Sequence, residues 1–258
     1  TMSNKPAPAI LTRDDGTAIA YHHHFGNTEF PGVVFMSGFM SDMGGTKAMA
    51  VEDWCRKHDT GFLRFDYRGH GQSSGRFDEG AIGLWAGDAV FAIDKLTDGP
   101  QILVGSSMGG WIMLLAALGL KDRIAGLIGI AAAPDFTEYL IKNELTAEHR
   151  ANLDHHGFIS VPTEYGDEPY VITKNLIEDG RRNMLLNDTI PLDIPVRLIQ
   201  GMKDDDVPWK TALRIQEKLL TGDVEVTLVK NGDHRLSEPR DLDRLTRTLD
   251  HLIAQVSS

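Results

Sequence analysis

Gln101-Ile102-Leu103-Val104-Gly105-Ser106-Ser107-Met108-Gly109-Gly110 is the stretch on which the reading of this chain turns. Gln101 to Val104 reads as a buried strand, and Gly110 to Leu118 (Gly-Trp-Ile-Met-Leu-Leu-Ala-Ala-Leu) reads as an apolar helix. Between them lies G-x-S-x-G, the spacing of a sharp strand-to-helix turn that lifts a serine hydroxyl off the sheet edge. Small residues flank Ser107 because two backbones approach closely there and leave no room for a Cβ. The same turn puts the Met108 N–H at a helix N-terminus, where it can face developing negative charge. A glycine-rich turn without chemistry has the same five residues, and the pentapeptide alone does not separate the two readings.

Two later segments do. Val196-Arg197-Leu198-Ile199-Gln200 is an apolar strand that runs into Gly201-Met202-Lys203-Asp204-Asp205-Asp206-Val207-Pro208. Val224 to Val229 alternates as a strand and runs into Lys230-Asn231-Gly232-Asp233-His234. A serine, an acid and a histidine thus each follow a strand, in the chain order Ser…Asp…His of the α/β-hydrolase superfamily. Any of the three aspartates lies about thirty residues before His234, so spacing leaves Asp204, Asp205 and Asp206 in competition for the acid.

Around these motifs, Ile10 to Arg13 and Ala18 to His23 flank Asp14-Asp15-Gly16, a hairpin signal. Strands at Gly32–Met36, Phe62–Phe65 and Ile124–Ile130 alternate with helices over roughly 46–58, 82–96, 209–220 and 241–256. The pattern predicts an α/β class: a mostly parallel central sheet of about eight strands flanked by helices. At 258 residues a single α/β-hydrolase domain over 1–258 is expected. The exception is the stretch of about 134–195. It shows helical patches at 136–143, 147–155 and 173–181 between Gly and Pro breaks, and no clear strand pair, so a small helical lid is expected.

Composition narrows the function classes. A hydrophobic content of 41% with 24% charged residues is that of a folded globular chain. The net charge of −11 and the lack of a basic run argue against nucleic acid as a partner. No charge-free apolar stretch reaches the ~18 residues a membrane span needs. Thr1-Met2-Ser3-Asn4-Lys5-Pro6 lacks the apolar core of a signal peptide. The single cysteine, Cys55, allows no internal disulfide and reads as a packed thiol. A cytoplasmic location is expected from these features together. Nothing in the pattern specifies an oligomeric state.

Longer blocks carry a more specific likeness. Gly105 to Leu114, Ser41-Asp42-Met43-Gly44-Gly45-Thr46-Lys47, Phe65-Asp66-Tyr67, Met202-Lys203-Asp204-Asp205 with Val207-Pro208-Trp209, and Asp233-His234-Arg235 resemble one branch of the superfamily. It is the branch of mitochondrial palmitoyl-protein thioesterases and acyl-glucuronide esterases of animals, with bacterial relatives, and the likeness runs from about Val33 to His251. The resemblance implies a serine esterase or thioesterase acting through an acyl-enzyme on Ser107, with His234 as general base. It also implies Asp204 as the acid, since Gly201 and Val207-Pro208 bracket it as the superfamily pattern requires. The implied oxyanion hole is the Met108 N–H with the Phe39 N–H, in a loop where this chain has Ser37-Gly38 and the superfamily often has His-Gly. The expected substrate is a small molecule or S-acylated partner, its acyl group lined by Met40, Phe136 and Tyr139.

Other polar groups read as structure. His22-His23-His24 alternates faces on a strand, His70 is expected to hold a loop, and His155-His156 to face solvent. Asp66 and Arg68 are expected to tie their loop, with Asp88. Asp205 and Asp206 are expected to face solvent or cap the helix near Trp209. No cluster has zinc spacing, and no G-x-G-x-x-G or Walker context occurs, so neither metal nor nucleotide cofactor is expected. The alternatives are an aminopeptidase-like hydrolase, its substrate amine held by lid acids among Glu138, Glu144, Glu164 and Asp167, or a ligand-binding relative without catalysis.

Overall fold

Alternating apolar residues on Val33-Val34-Phe35-Met36 face opposite sides of one sheet, and both sides are covered. The computed structural model describes residues 6–258; the leading Thr1–Lys5, and with them most of the N-terminal stretch read above, lie outside it. Strands β1 (Ala9–Thr12), β2 (Ala18–His24), β3 (Gly32–Met36), β4 (Phe62–Phe65), β5 (Gln101–Ser106) and β6 (Ile124–Ile130) open the chain. After the insertion, β9 (Val196–Gly201) and β10 (Val224–Val229) complete an eight-stranded sheet in the order β1-β2-β4-β3-β5-β6-β9-β10. β1 and β2 pair antiparallel, as does β2 with β4; every other pairing is parallel.

Burial follows the two-residue period of the strands. Val34, Met36, Leu63, Phe65 and Leu103 join one apolar cluster with α2 (Ile82–Leu96) and α3 (Met108–Gly119). Val33, Phe35, Phe62, Ile102 and Val104 join the other, with α1 (Thr46–Lys57) and α8 (Pro239–Val256). Cys55 is fully buried in the second cluster, and burial pushes its thiol pKa up, as a packed, inert thiol requires. α3 is buried on nearly every side, which is why its sequence lacks a polar stripe. α7 (Lys210–Lys218) lies between β9 and β10.

The sheet order reverses between β3 and β5, which are neighbours in space while β4 lies on the far side of β3. In open α/β sheets such a switch point parts the loops at the C-terminal strand ends and leaves a crevice there. The loops after β3, β4, β5, β9 and β10 all leave the sheet at that one edge. Among the described residues no helix is long and apolar enough to cross a membrane.

The insertion over 134–195 differs from the all-helical expectation. It holds α4 (Phe136–Tyr139), a π-helical turn at Leu140–Glu144, α5 (Ala147–His156) and α6 (Lys174–Arg182), but also β7 (Phe158–Val161) and β8 (Tyr170–Thr173). These two strands pair antiparallel, Phe158 opposite Thr173 and Val161 opposite Tyr170. The loop between them, 162–169, carries no two-residue Asn-Gly or Asp-Gly turn, and so the hairpin left no short-range signature. Asp135, with φ 60°, anchors the insertion by accepting from the Leu185 and Leu186 amides at 2.8 and 2.9 Å.

Candidate active site

The turn at Ser107 has the strained backbone expected of it, with φ 56° and ψ −121°, a region L residues rarely occupy. Bonds on both sides hold it there: the Ser107 amide donates to the Ile130 carbonyl at 2.9 Å, and its carbonyl accepts from Gly110 and Ala133. The glycines are a steric requirement. A Cβ at Gly105 would overlap the Gly109 carbonyl, and one at Gly109 would overlap the Met36 carbonyl. Among the described residues the Ser107 hydroxyl makes no hydrogen bond.

The β9 and β10 loops bring an acid and a histidine together. His234 Nδ1 lies 2.8 Å from Asp204 Oδ2, with the Asp204 side chain 0% and the His234 side chain 15% exposed. Three further donors hold Asp204: Gln200 Nε2 at 3.0 Å on Oδ2, and the Asp206 and Val207 amides at 2.9 and 2.8 Å on Oδ1. A carboxylate only accepts, so this geometry puts the proton on Nδ1 and leaves Nε2 as the free basic nitrogen.

The two loops fit because Gly201 has no side chain: a Cβ there would overlap the Gly232 and Asp233 carbonyls. The turn after His234 is pinned by Leu236, buried at φ 45°, whose amide donates to Asp233 Oδ1 at 2.8 Å. From α1, Lys47 Nζ donates to the Arg235 carbonyl and, at 3.1 Å, to Ser237 Oγ.

The loop after β3 borders Ser107. A Cβ at Gly38 would stand 3.5 Å from the Ser107 Cβ, and the Phe39 amide follows directly. Among the described residues neither the Phe39 nor the Met108 N–H has an acceptor in a turn or loop. Where the superfamily often has histidine, Ser37 contributes its hydroxyl to the Asp42 carbonyl at 3.0 Å and its carbonyl to the buried Tyr67 hydroxyl at 2.9 Å. His70 holds the same loop by accepting from the Met40 amide, the loop-stabilising role expected of it. Asp66 accepts from the Met43 and Gln72 amides, and Arg68 forks onto Asp88, so that loop is tied as expected.

The lining residues divide. Phe39 stands edge-on to Phe77, Phe136 and Tyr170 at centroid distances of 5.0, 5.6 and 5.4 Å. Phe136 also meets Trp111, a core residue whose Nε1 donates to the Asn183 carbonyl. Met40, the residue after Phe39, has φ 51° and is half-buried. Tyr139 follows Phe136 by three residues on α4 and is 39% exposed.

Asp205 and Asp206 are both exposed, the first of the two placements expected of them, and Asp206 Oδ2 also accepts from the hydroxyl of Tyr165 in the lid loop. Asp204, Asp206 and His234 each bring a ligand atom within 4.8 Å of the others, close enough for a cation. Hydrogen bonds already engage Asp204, His234 Nδ1 and Asp206 Oδ2.

Comparison with known proteins agrees with this architecture. A family model, Hydrolase_4, described as serine aminopeptidase S33, matches residues 31–175. The chain is 40% identical over 255 residues to the human protein named palmitoyl-protein thioesterase ABHD10, mitochondrial, covering 98% of this chain and 82% of that one. Among solved structures, a provisionally assigned hydrolase from Agrobacterium vitis S4 superposes with a TM-score of 0.92 at 39% identity, over 96% of this chain and 100% of that one. Alpha/beta hydrolase domain-containing protein 10 from mouse superposes at 0.89 with 38% identity, over 97% and 100%.

Proposed function

Since this chain belongs to the α/β-hydrolase family, we propose that it is a serine hydrolase cleaving carboxylic esters or thioesters through an acyl-enzyme on Ser107. The observation that carries the reading is the Asp204–His234 pair at 2.8 Å, at the same sheet edge as the strained Ser107 turn. A serine hydroxyl at neutral pH needs a base, and His234 Nε2 is the free nitrogen of a ring held by a buried carboxylate.

In the proposed sequence, His234 takes the Ser107 proton as Oγ attacks the acyl carbonyl. The carbonyl oxygen gains charge and takes hydrogen bonds from the Phe39 and Met108 amides, each contributing about 3 kcal/mol to the barrier reduction. The protonated imidazole then gives its proton to the departing alcohol or thiol, and water repeats the cycle to free the acid. Phe39, Phe136, Tyr170 and Met40 supply an apolar wall for an acyl chain, and the name of the human relative directs attention to S-acylated substrates. The proposed unit is a single domain with the 134–195 insertion as its lid.

The aminopeptidase reading has less support. Glu138 is already held by Arg181 at 2.8 Å and Lys142 at 3.5 Å, and Glu164 and Asp167 lie exposed on the loop of the lid. For location, the lone buried thiol of Cys55 fits a reducing compartment, and we place the protein in the cytoplasm; the curated relatives are named mitochondrial, and cell fractionation separates the two.

A fluorophosphonate probe tests the reaction class. The expected result is covalent labelling at Ser107, abolished in Ser107→Ala; absence of labelling on folded protein rejects the catalytic reading. Paired ester and thioester substrates of equal chain length, compared by kcat/KM, then assign the preferred bond.

A further inference from the structure

The lid loop between β7 and β8 is exposed from Glu164 to Pro169 except at one residue, Tyr165. That side chain turns back onto the site. Its hydroxyl donates to Asp206 Oδ2 at 2.5 Å, and its ring centroid lies 5.8 Å from that of His234. The Arg235 guanidinium packs on the same ring, 5.5 Å from its centre. A single residue of the insertion therefore touches the acid loop, the histidine and the residue after the histidine.

We infer that Tyr165 is a positioning residue for the reaction: its ring seals the Asp204–His234 pair from solvent, and its bond to Asp206 latches the lid ribbon shut over them. The inference rests on the proposed role of that pair in catalysis.

Charge explains why the latch must be a donor that stays protonated. Asp204 and Asp206 lie within ligand distance of each other, and Glu144, from the π-helical turn of the lid, is close enough for Asp206 to push its pKa up beyond the effect of burial. Three carboxylates on two facing segments repel, which favours an open lid. The phenol opposes that opening without adding charge. Burial first, and then the Asp206 carboxylate, raise its pKa, so it remains a donor across the working range. Shielding matters to the pair itself, because water at Asp204 competes for the Nδ1 proton and weakens the electrostatic hold on the imidazolium.

The test uses Tyr165→Phe, Asp206→Ala and the double variant in the full chain. It reads kcat and KM on one soluble short-chain thioester, with amide hydrogen exchange across residues 158–173. A charge-assisted hydrogen bond of this kind corresponds to about a tenfold effect on kcat in either single variant. The double variant should be no worse than the singles, KM should stay within about twofold, and the ribbon amides should exchange faster at unchanged global stability. Tyr165→Phe should keep more activity than Tyr165→Ala, since the ring still covers His234. Additive losses, or ribbon exchange identical to wild type in both singles, overturn the inference. The exchange readout needs no turnover: if Ser107 fails to label while Tyr165 and Asp206 remain coupled in exchange, the latch stands and the proposed reaction falls.

Discussion

The Met40 amide donates to His70 Nε2 at 3.2 Å, while His70 Nδ1 faces the Arg68 carbonyl at 3.2 Å. Only the neutral ring protonated on Nδ1 satisfies both contacts, because an imidazolium has no acceptor to offer Met40. Burial pulls the His70 pKa from 6.5 down to about 4. The folded state therefore binds fewer protons than the unfolded chain between pH 6.5 and 4. The stability held above pH 6.5 is lost as pH falls through that window, by about 3 kcal/mol in all.

The measurement is denaturant unfolding at pH 7.5 and 4.5 in wild type and His70→Gln. Glutamine still offers Met40 an acceptor but takes no proton. Its stability should fall less between the two pH values than that of wild type. An equal fall in both proteins rejects the assignment to His70.

The three consecutive aspartates should rank by what holds them. Asp204→Asn turns an amide N–H toward Nδ1 and forces the wrong tautomer, and His234→Ala removes the base; each should lower kcat by at least about a thousandfold. Asp205→Asn, exposed and without a described side-chain hydrogen bond, should remain within about twofold of wild type. Asp206→Ala should fall between, through Tyr165. Steady-state kinetics on one ester decides the order, and a larger loss at Asp205 than at Asp204 moves the acid.

What the sequence disclosed and what it withheld have different physical origins. The Ser107 turn was legible because its strain and close approach admit only small residues at 105 and 109, and local sterics write themselves into local sequence. β3, β5 and β6 were legible because burial on both faces demands unbroken apolar runs. Asp204 needed a family pattern, since three adjacent aspartates differ only in which of them the β9 loop buries. The β7–β8 ribbon was hidden by four-residue strands joined through a long loop, where neither periodicity nor turn chemistry extends far enough to register. Tyr165 and Lys47 were invisible for a further reason: each acts on groups tens of residues away or more, and their own neighbours in sequence record nothing of it.

Steric control of the turn gives a stability prediction. A methyl at Gly109 would meet the Met36 and Ser37 carbonyl oxygens, which belong to β3 and its loop and cannot rotate aside. Gly109→Ala should cost about 3 kcal/mol or more, as overpacking against backbone does. Gly166→Ala, in the lid loop with open space around it, is the matched control and should be silent within about 0.5 kcal/mol. Denaturation midpoints compare them, and equal midpoints refute a packing requirement at Gly109.

Lys47 links the helix after the proposed oxyanion loop to the turn that carries His234, through its bonds to the Arg235 carbonyl and Ser237 Oγ. Burial, and then the charge of Arg235, pull its pKa from 10.5 down to about 8, against the opposing pull of Asp233 and Asp241. Below that value an ammonium makes charge-assisted bonds to the turn. Above it the amine donates more weakly, and His234 loses part of its support. Wild-type kcat should therefore decline on the alkaline side of about pH 8. Lys47→Met should lower kcat about tenfold with KM within twofold, the loss expected for charge-assisted bonds that position the base without touching substrate. Lys47→Arg retains its charge throughout, so it should recover much of the activity and lack the alkaline decline. A decline that persists unchanged in Lys47→Arg assigns the alkaline limb to another group and removes Lys47 from the positioning of His234.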